Sequence, residues 1–154
     1  MPTYLCTIPA GSLAAAQKGA VAKAITRVHS EVTGAPAFFA EVIFTEIAAG
    51  DWFIGGVPLA GEQIFVHGNI RGGRPTEMRH ELITKLAAAI GLAAKLPAHA
   101  IWIYLSELPP GAMIEFGRVL PEPGAEAAWI AELPDEDRER MESSGGGGNR
   151  AFES

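Results

Sequence analysis

A single cysteine, Cys6, is all the thiol this chain carries, which excludes an internal disulfide and fits a reducing compartment. Charge is scarce as well. Only 19% of residues are charged, and the 12 Lys and Arg are outnumbered by 18 Asp and Glu, for a formal net charge of −6. That balance argues against nucleic acid as the main partner. No apolar run approaches the ~18 residues of a membrane span. No basic segment followed by an apolar one opens the chain, and "MPTYLCTIPAGS" reaches a turn at once; a soluble cytoplasmic protein is the expectation. The four histidines, His29, His67, His80 and His99, share no ligand spacing with one another or with Cys6, so no metal is expected. The glycines of "RGGR" are not followed by Gly-Lys-Ser/Thr, which leaves little support for a phosphate loop.

What the chain does have is apolar content. Of its 154 residues 48% are hydrophobic, enough for one globular domain with a real core. The run "TYLCTI" reads as a strand ending at Pro9, and Ser12 can cap the helix that follows. In that helix Val21, Ile25, Val28 and Val32 recur at helical spacing. Gly34 and Pro36 stop it, and "FFAEVIFTEI" reads as a buried strand.

The pattern then repeats. "EQIFVHGNI" is a strand and "RGGRP" a turn, with Pro75 suited to a first helical position. Met78, Leu82, Leu86, Ile90 and Ala93 line one helical face, Pro97 ends that helix, and "AIWIYLSEL" is the matching strand. The two halves align at an offset of roughly 61 to 62 residues, so that Lys23 meets Lys85 and Val28 meets Ile90. The fold class expected is α+β: duplicated β-α-β units forming a four-stranded mixed sheet with two helices on one face. "WFIGG" and "IEFGR" suit short hairpins or edge strands. The domain covers residues 1–142, with units at about 2–61 and 62–120 followed by a C-terminal segment. The Gly- and Ser-rich stretch at 143–154 reads as a flexible tail.

Related by a pseudo-twofold axis, the two units place their central strands antiparallel. The start of "PTYLCTI" then lies beside the end of "IFVHGNI", which brings Pro2 toward Arg71 and Arg74. If Met1 is trimmed, as is usual ahead of a small residue, Pro2 carries a free secondary amine; otherwise it is an unremarked chain end. The second unit has Ile64 at the equivalent place. Arg71 and Arg74 lie where a strand hands over to a helix, a setting that favours anions, although two solvated loop arginines fit equally. His29 borders the apolar helical face, where packing is the usual role. Tyr104 falls in an apolar strand, which suits a core tyrosine. Glu115 stands in apolar "MIEFG", where burial would raise its pKa, though a surface glutamate is the commoner case.

Taken together, "MPTY", "VAKAITRVHSEVTG", "FIGGV", "IFVHG", "RGGR", "IWIYLSE", "EFGR" and "LPEPG" resemble the tautomerase superfamily, and within it the cis-3-chloroacrylic acid dehalogenase family. The matches are co-linear and extend toward the helix-forming "DEDRERME". The resemblance implies the tautomerase fold, a homotrimer whose C-terminal segment packs on a neighbour, and cofactor-free chemistry on a small carboxylate. It implies catalytic roles for Pro2, Tyr104 and Glu115 and substrate binding by His29, Arg71 and Arg74. Hydrolytic dehalogenation or hydration of an unsaturated acid is the activity implied. Keto–enol tautomerisation of a 2-oxo acid such as phenylpyruvate is the alternative, and a binding protein on the same fold is the reading from another class.

Overall fold

The structure is a computed structural model that describes residues 2–144. Strand β1 (Thr3–Pro9) leads through a turn into helix α1 (Ala15–Thr33), and β2 (Glu41–Ile47) returns parallel to β1. After the hairpin β3 (Phe53–Ile54) and β4 (Val57–Pro58), the unit recurs as β5 (Ile64–Arg71), α2 (Thr76–Ala94) and β6 (Ile101–Leu108). The sheet order is β2-β1-β5-β6, with β1 and β5 antiparallel at the centre. Thr3 pairs with Asn69, so the start of β1 does meet the end of β5, as the duplicated pattern predicts.

Alternation along the central strands decides which face is covered. Tyr4, Cys6 and Ile8 of β1 and Ile64, Val66 and Ile70 of β5 are fully buried beneath the helices. They meet Val21, Ile25 and Val28 of α1 and Leu82, Leu86 and Ile90 of α2. Each such burial contributes roughly 1.5–3 kcal/mol. The opposite face is bare in the single chain: Leu5, Ile43, Trp102 and Tyr104 are exposed there.

Three local expectations are corrected. Ser12 does not cap α1; the cap position is Ala14, whose N–H donates to Oε1 of Gln17 at 3.0 Å. Residues Ala37–Phe39 form a 3-10 turn rather than the start of β2, because Pro36 sets up a turn before the chain extends. Pro75 stands at the cap of α2, one position earlier than expected.

A C-terminal layer completes the chain. The hairpin β7 (Ile114–Glu115) and β8 (Arg118–Val119) is followed by α3 (Glu126–Ala131) and α4 (Asp135–Ser144). This layer has its own small core of Leu120, Trp129, Leu133 and Met141 packed with Phe39. The expected tail at 143–154 begins inside α4, and its remainder lies outside the described residues. No helix among the described residues is long and apolar enough to cross a membrane.

Candidate active site

Pro2 is buried at the head of β1, its carbonyl oxygen accepting the Glu41 N–H at 2.9 Å. It forms a wall common to two depressions. On one side Pro2 shares a cleft with His29, Arg71, Arg74 and Glu126, roofed by Phe39, Leu120 and Trp129. On the other it borders a hollow lined by Phe38, Glu41, Ile114, Glu115 and Phe116. A side that carries two arginines and a side that carries two carboxylates, Glu41 and Glu115, thus flank one residue. The small C-terminal core supplies the apolar roof, so the layer after β6 is part of the site and not an appendage.

His29 is placed by the helix stripe that also buries Val28, and it is only 3% exposed. The Tyr4 hydroxyl contacts its Nδ1 at 2.7 Å. A buried hydroxyl has to donate to be satisfied. With Tyr4 donating to Nδ1, the neutral ring keeps its proton on Nε2, free to donate into the cleft. Burial, reinforced by the charge of Arg74, lowers the His29 pKa to about 3, so the ring is neutral at ordinary pH. Tyr4 was not singled out in the sequence. Its signal is Gly68, directly opposite it on β5. A Cβ at Gly68 would fall 2.7 Å from Tyr4 Cε1 and from Leu105 Cδ2, so only glycine lets the Tyr4 ring lie across the strand toward His29.

A buried neutral histidine has a sign-determined effect on stability. The folded pKa of about 3 lies below the ~6.5 of an unfolded chain, so the unfolded chain takes up a proton first. The His29 contribution is complete above about pH 6.5 and is lost as pH falls toward 3, by up to ~1.4 kcal/mol per pH unit. His29→Gln keeps an acceptor for Tyr4 and abolishes that slope. The gap in Tm between wild type and variant is therefore expected to narrow from pH 7 to pH 4.5, read by scanning calorimetry; a gap independent of pH would show that His29 titrates alike in both states.

Arg71 and Arg74 straddle the turn from β5 to α2. Arg71 is buried, donates to the Pro121 carbonyl at 2.8 Å and is ion-paired with Glu126 of α3. Its Nε has no hydrogen-bond partner among the described residues. Arg74 is half-buried and donates to the Arg71 carbonyl at 3.1 Å. Burial, then the neighbouring charge of Arg71, lowers its pKa from the usual arginine value. Glu115, at the tip of the β7–β8 hairpin, has its carboxyl pushed up by burial, against the pull of the amino-terminal charge and of Arg71.

Tyr104 is not brought to this cleft within the chain. It is neither a core residue nor a neighbour of Pro2. The alternation of β6 turns Ile103 and Leu105 inward and leaves Tyr104 59% exposed on the bare face. There it packs edge-on against Phe65 and lines a shallow depression with Thr7, Trp52 and Trp102.

Comparison with known proteins adds to this geometry. Residues 1–132 match the model of a family described as "Putative oxalocrotonate tautomerase enzyme". The crystal structure of N1, a member of the cis-3-chloroacrylic acid dehalogenase family, is 30% identical, covers 92% of this chain and 99% of its own, and superposes with a TM-score of 0.87. A native fused 4-OT is similar in fold, at 21% identity, 76% and 94% coverage and a TM-score of 0.70. So is a fused 4-OT crystallised as a symmetric trimer, at 24% identity, 72% and 89% coverage and a TM-score of 0.65. No curated protein matches the chain.

Proposed function

Because the chain belongs to the tautomerase superfamily, and within it to the cis-3-chloroacrylic acid dehalogenase family, we propose that it adds water to a small unsaturated acid such as a cis-3-haloacrylate. The observation that carries this reading is the shared wall: Pro2 faces His29, Arg71 and Arg74 on one side and Glu115 on the other. A substrate carboxylate held by Arg74, Arg71 and the Nε2–H of His29 has its electron density drawn toward that end. Attack at C3 develops enolate charge, which the same donors stabilise. Glu115, with a pKa raised by burial, takes a proton from water as that water attacks C3. Pro2, trimmed and cationic, delivers a proton to C2. The resulting halohydrin expels halide and a proton and leaves malonate semialdehyde, so atoms balance without a cofactor.

Tyr104 enters this scheme through assembly. It lies on the bare sheet face beside exposed Leu5, Ile43 and Trp102, an apolar surface of the kind that marks a protein interface. A fold relative forms a trimer, and we read this chain as a homotrimer in which Tyr104 is buried at the contact and helps position the attacking water of a neighbouring copy. Tautomerisation of a 2-oxo acid uses the same cleft with Pro2 as a neutral base and does not require Glu115.

The direct test is an assay of mature protein with cis-3-chloroacrylate, following halide release and aldehyde formation, alongside phenylpyruvate ketonisation and sedimentation. Stoichiometric halide and aldehyde from a species of about three chain masses is expected. Ketonisation without halide release would favour the tautomerase, and inactivity toward both acids would leave a binding protein.

A further inference from the structure

Two arginines in one cleft suggest a site built for two negative charges, yet the charges that line the cleft do not add up that way. Glu126 lines the same cleft as Pro2 and His29 and is ion-paired with Arg71. Its other oxygen accepts the Gly124 N–H at 2.8 Å, so the carboxylate is fixed from both sides, by the end of β5 and by the turn that precedes α3. Burial alone would raise its pKa, but its hydrogen bonds to backbone amides and to the Arg71 guanidinium win and hold it below the usual carboxylate range. It is therefore ionised at neutral pH. His29 contributes a donor and no charge. Among the described residues Arg74 meets no carboxylate at ion-pair distance; its guanidinium donates to the Arg71 carbonyl.

The anion side of the cleft thus presents two guanidiniums and one carboxylate, one of the cations already answered. We propose that Glu126 is a specificity-determining residue that sets this cleft for a singly charged acid and against a dianion. It does so by neutralising Arg71, so that Arg74 is the cation left to answer the ligand. A second carboxylate on the ligand would approach a site whose positive charge is spent on the first, and would meet Glu126 on one side or Glu115 on the other. Like charges brought together in a partly desolvated cleft disfavour binding. The inference rests on the reading of this cleft as a carboxylate site, and it names the charge state of the acid.

The test is binding, not turnover. The probes are cis-crotonate and maleate, which keep one cis-alkene acid and exchange a methyl for a second carboxylate. Isothermal titration compares wild type, Glu126→Gln and Glu126→Asp. Wild type is expected to bind cis-crotonate at least about tenfold more tightly than maleate. Glu126→Gln removes the charge in a similar shape and should move that ratio toward maleate by about tenfold, with Glu126→Asp staying near wild type. An unchanged ratio in Glu126→Gln would overturn the proposal, and so would an equal loss of both acids, which would make Glu126 a mere prop for Arg71. If Glu126→Gln does not fold, wild type still decides: equal affinity for the two acids is incompatible with the proposal. Failure of the haloacrylate assay with the selectivity intact would refute the hydration chemistry alone.

Discussion

Acylating the nitrogen of Pro2 is expected to reduce turnover by at least ~10²-fold, the scale on which a general acid or base is missed. An amide nitrogen has no proton to give and no basic pair to take one, whichever way the reaction runs. The effect should be local. Pro2 is buried and its carbonyl is tied to Glu41, so a protein that keeps a residue ahead of it retains the β1–β2 pairing that orders the sheet. Intact mass separates the trimmed and untrimmed forms, and both are assayed with cis-3-chloroacrylate and phenylpyruvate. A 2-oxo-3-alkynoate should abolish both activities by capturing the amine. Full activity from a form whose mass includes an extra residue would remove Pro2 from the chemistry.

Glu115→Gln should separate the two reactions that share this cleft. The amide keeps the side chain's shape at the hairpin tip and loses its basicity. Water addition is expected to fall by ~10²-fold or more, whereas phenylpyruvate tautomerisation, which needs Pro2 and the carboxylate grip, should fall far less. The carboxylate also favours a proton on the neighbouring amine, whose unperturbed pKa is ~7.7–8.0. Its loss favours neutral Pro2, which is the base form, and so favours tautomerisation over water addition, a bias that grows as pH rises. Assays of both reactions across pH make the comparison. A parallel fall would mean that Glu115 acts through folding or through Pro2, and not on water.

These expectations draw on parts of the molecule that differed in legibility. The duplicated pattern placed Thr3 beside Asn69, because a pseudo-twofold leaves few ways to join two β-α-β units into one sheet. The stripe of Val21, Ile25 and Val28 oriented α1 and carried His29 inward with it. Tyr104 was harder. Its strand is apolar on both faces, so composition hid an alternation that Trp102 and Tyr104 on one side and Ile103 and Leu105 on the other express only once a helix layer covers one of them. Glu126 could not be read from the sequence at all. Acidic residues crowd the C-terminal segment, and nothing local says which one reaches back 55 positions to Arg71. Ser12 failed as a cap for a related reason: Gln17 folds back on the Ala14 amide and closes the first turn without it.

The duplication itself divides the labour unevenly. The first unit brings Pro2 and His29, and the second brings Arg71, Arg74 and Tyr104, with Glu115 beyond it. At the place equivalent to Pro2 the second unit has Ile64, which is fully buried and inside the chain. A circular permutation that put the second unit first would preserve the pairing of all four sheet strands, since β1 and β5 meet side by side in either order. It would nonetheless turn Pro2 into an internal imide. For this fold the identity of the leading unit is invisible to the sheet, and the proposed chemistry depends on it entirely.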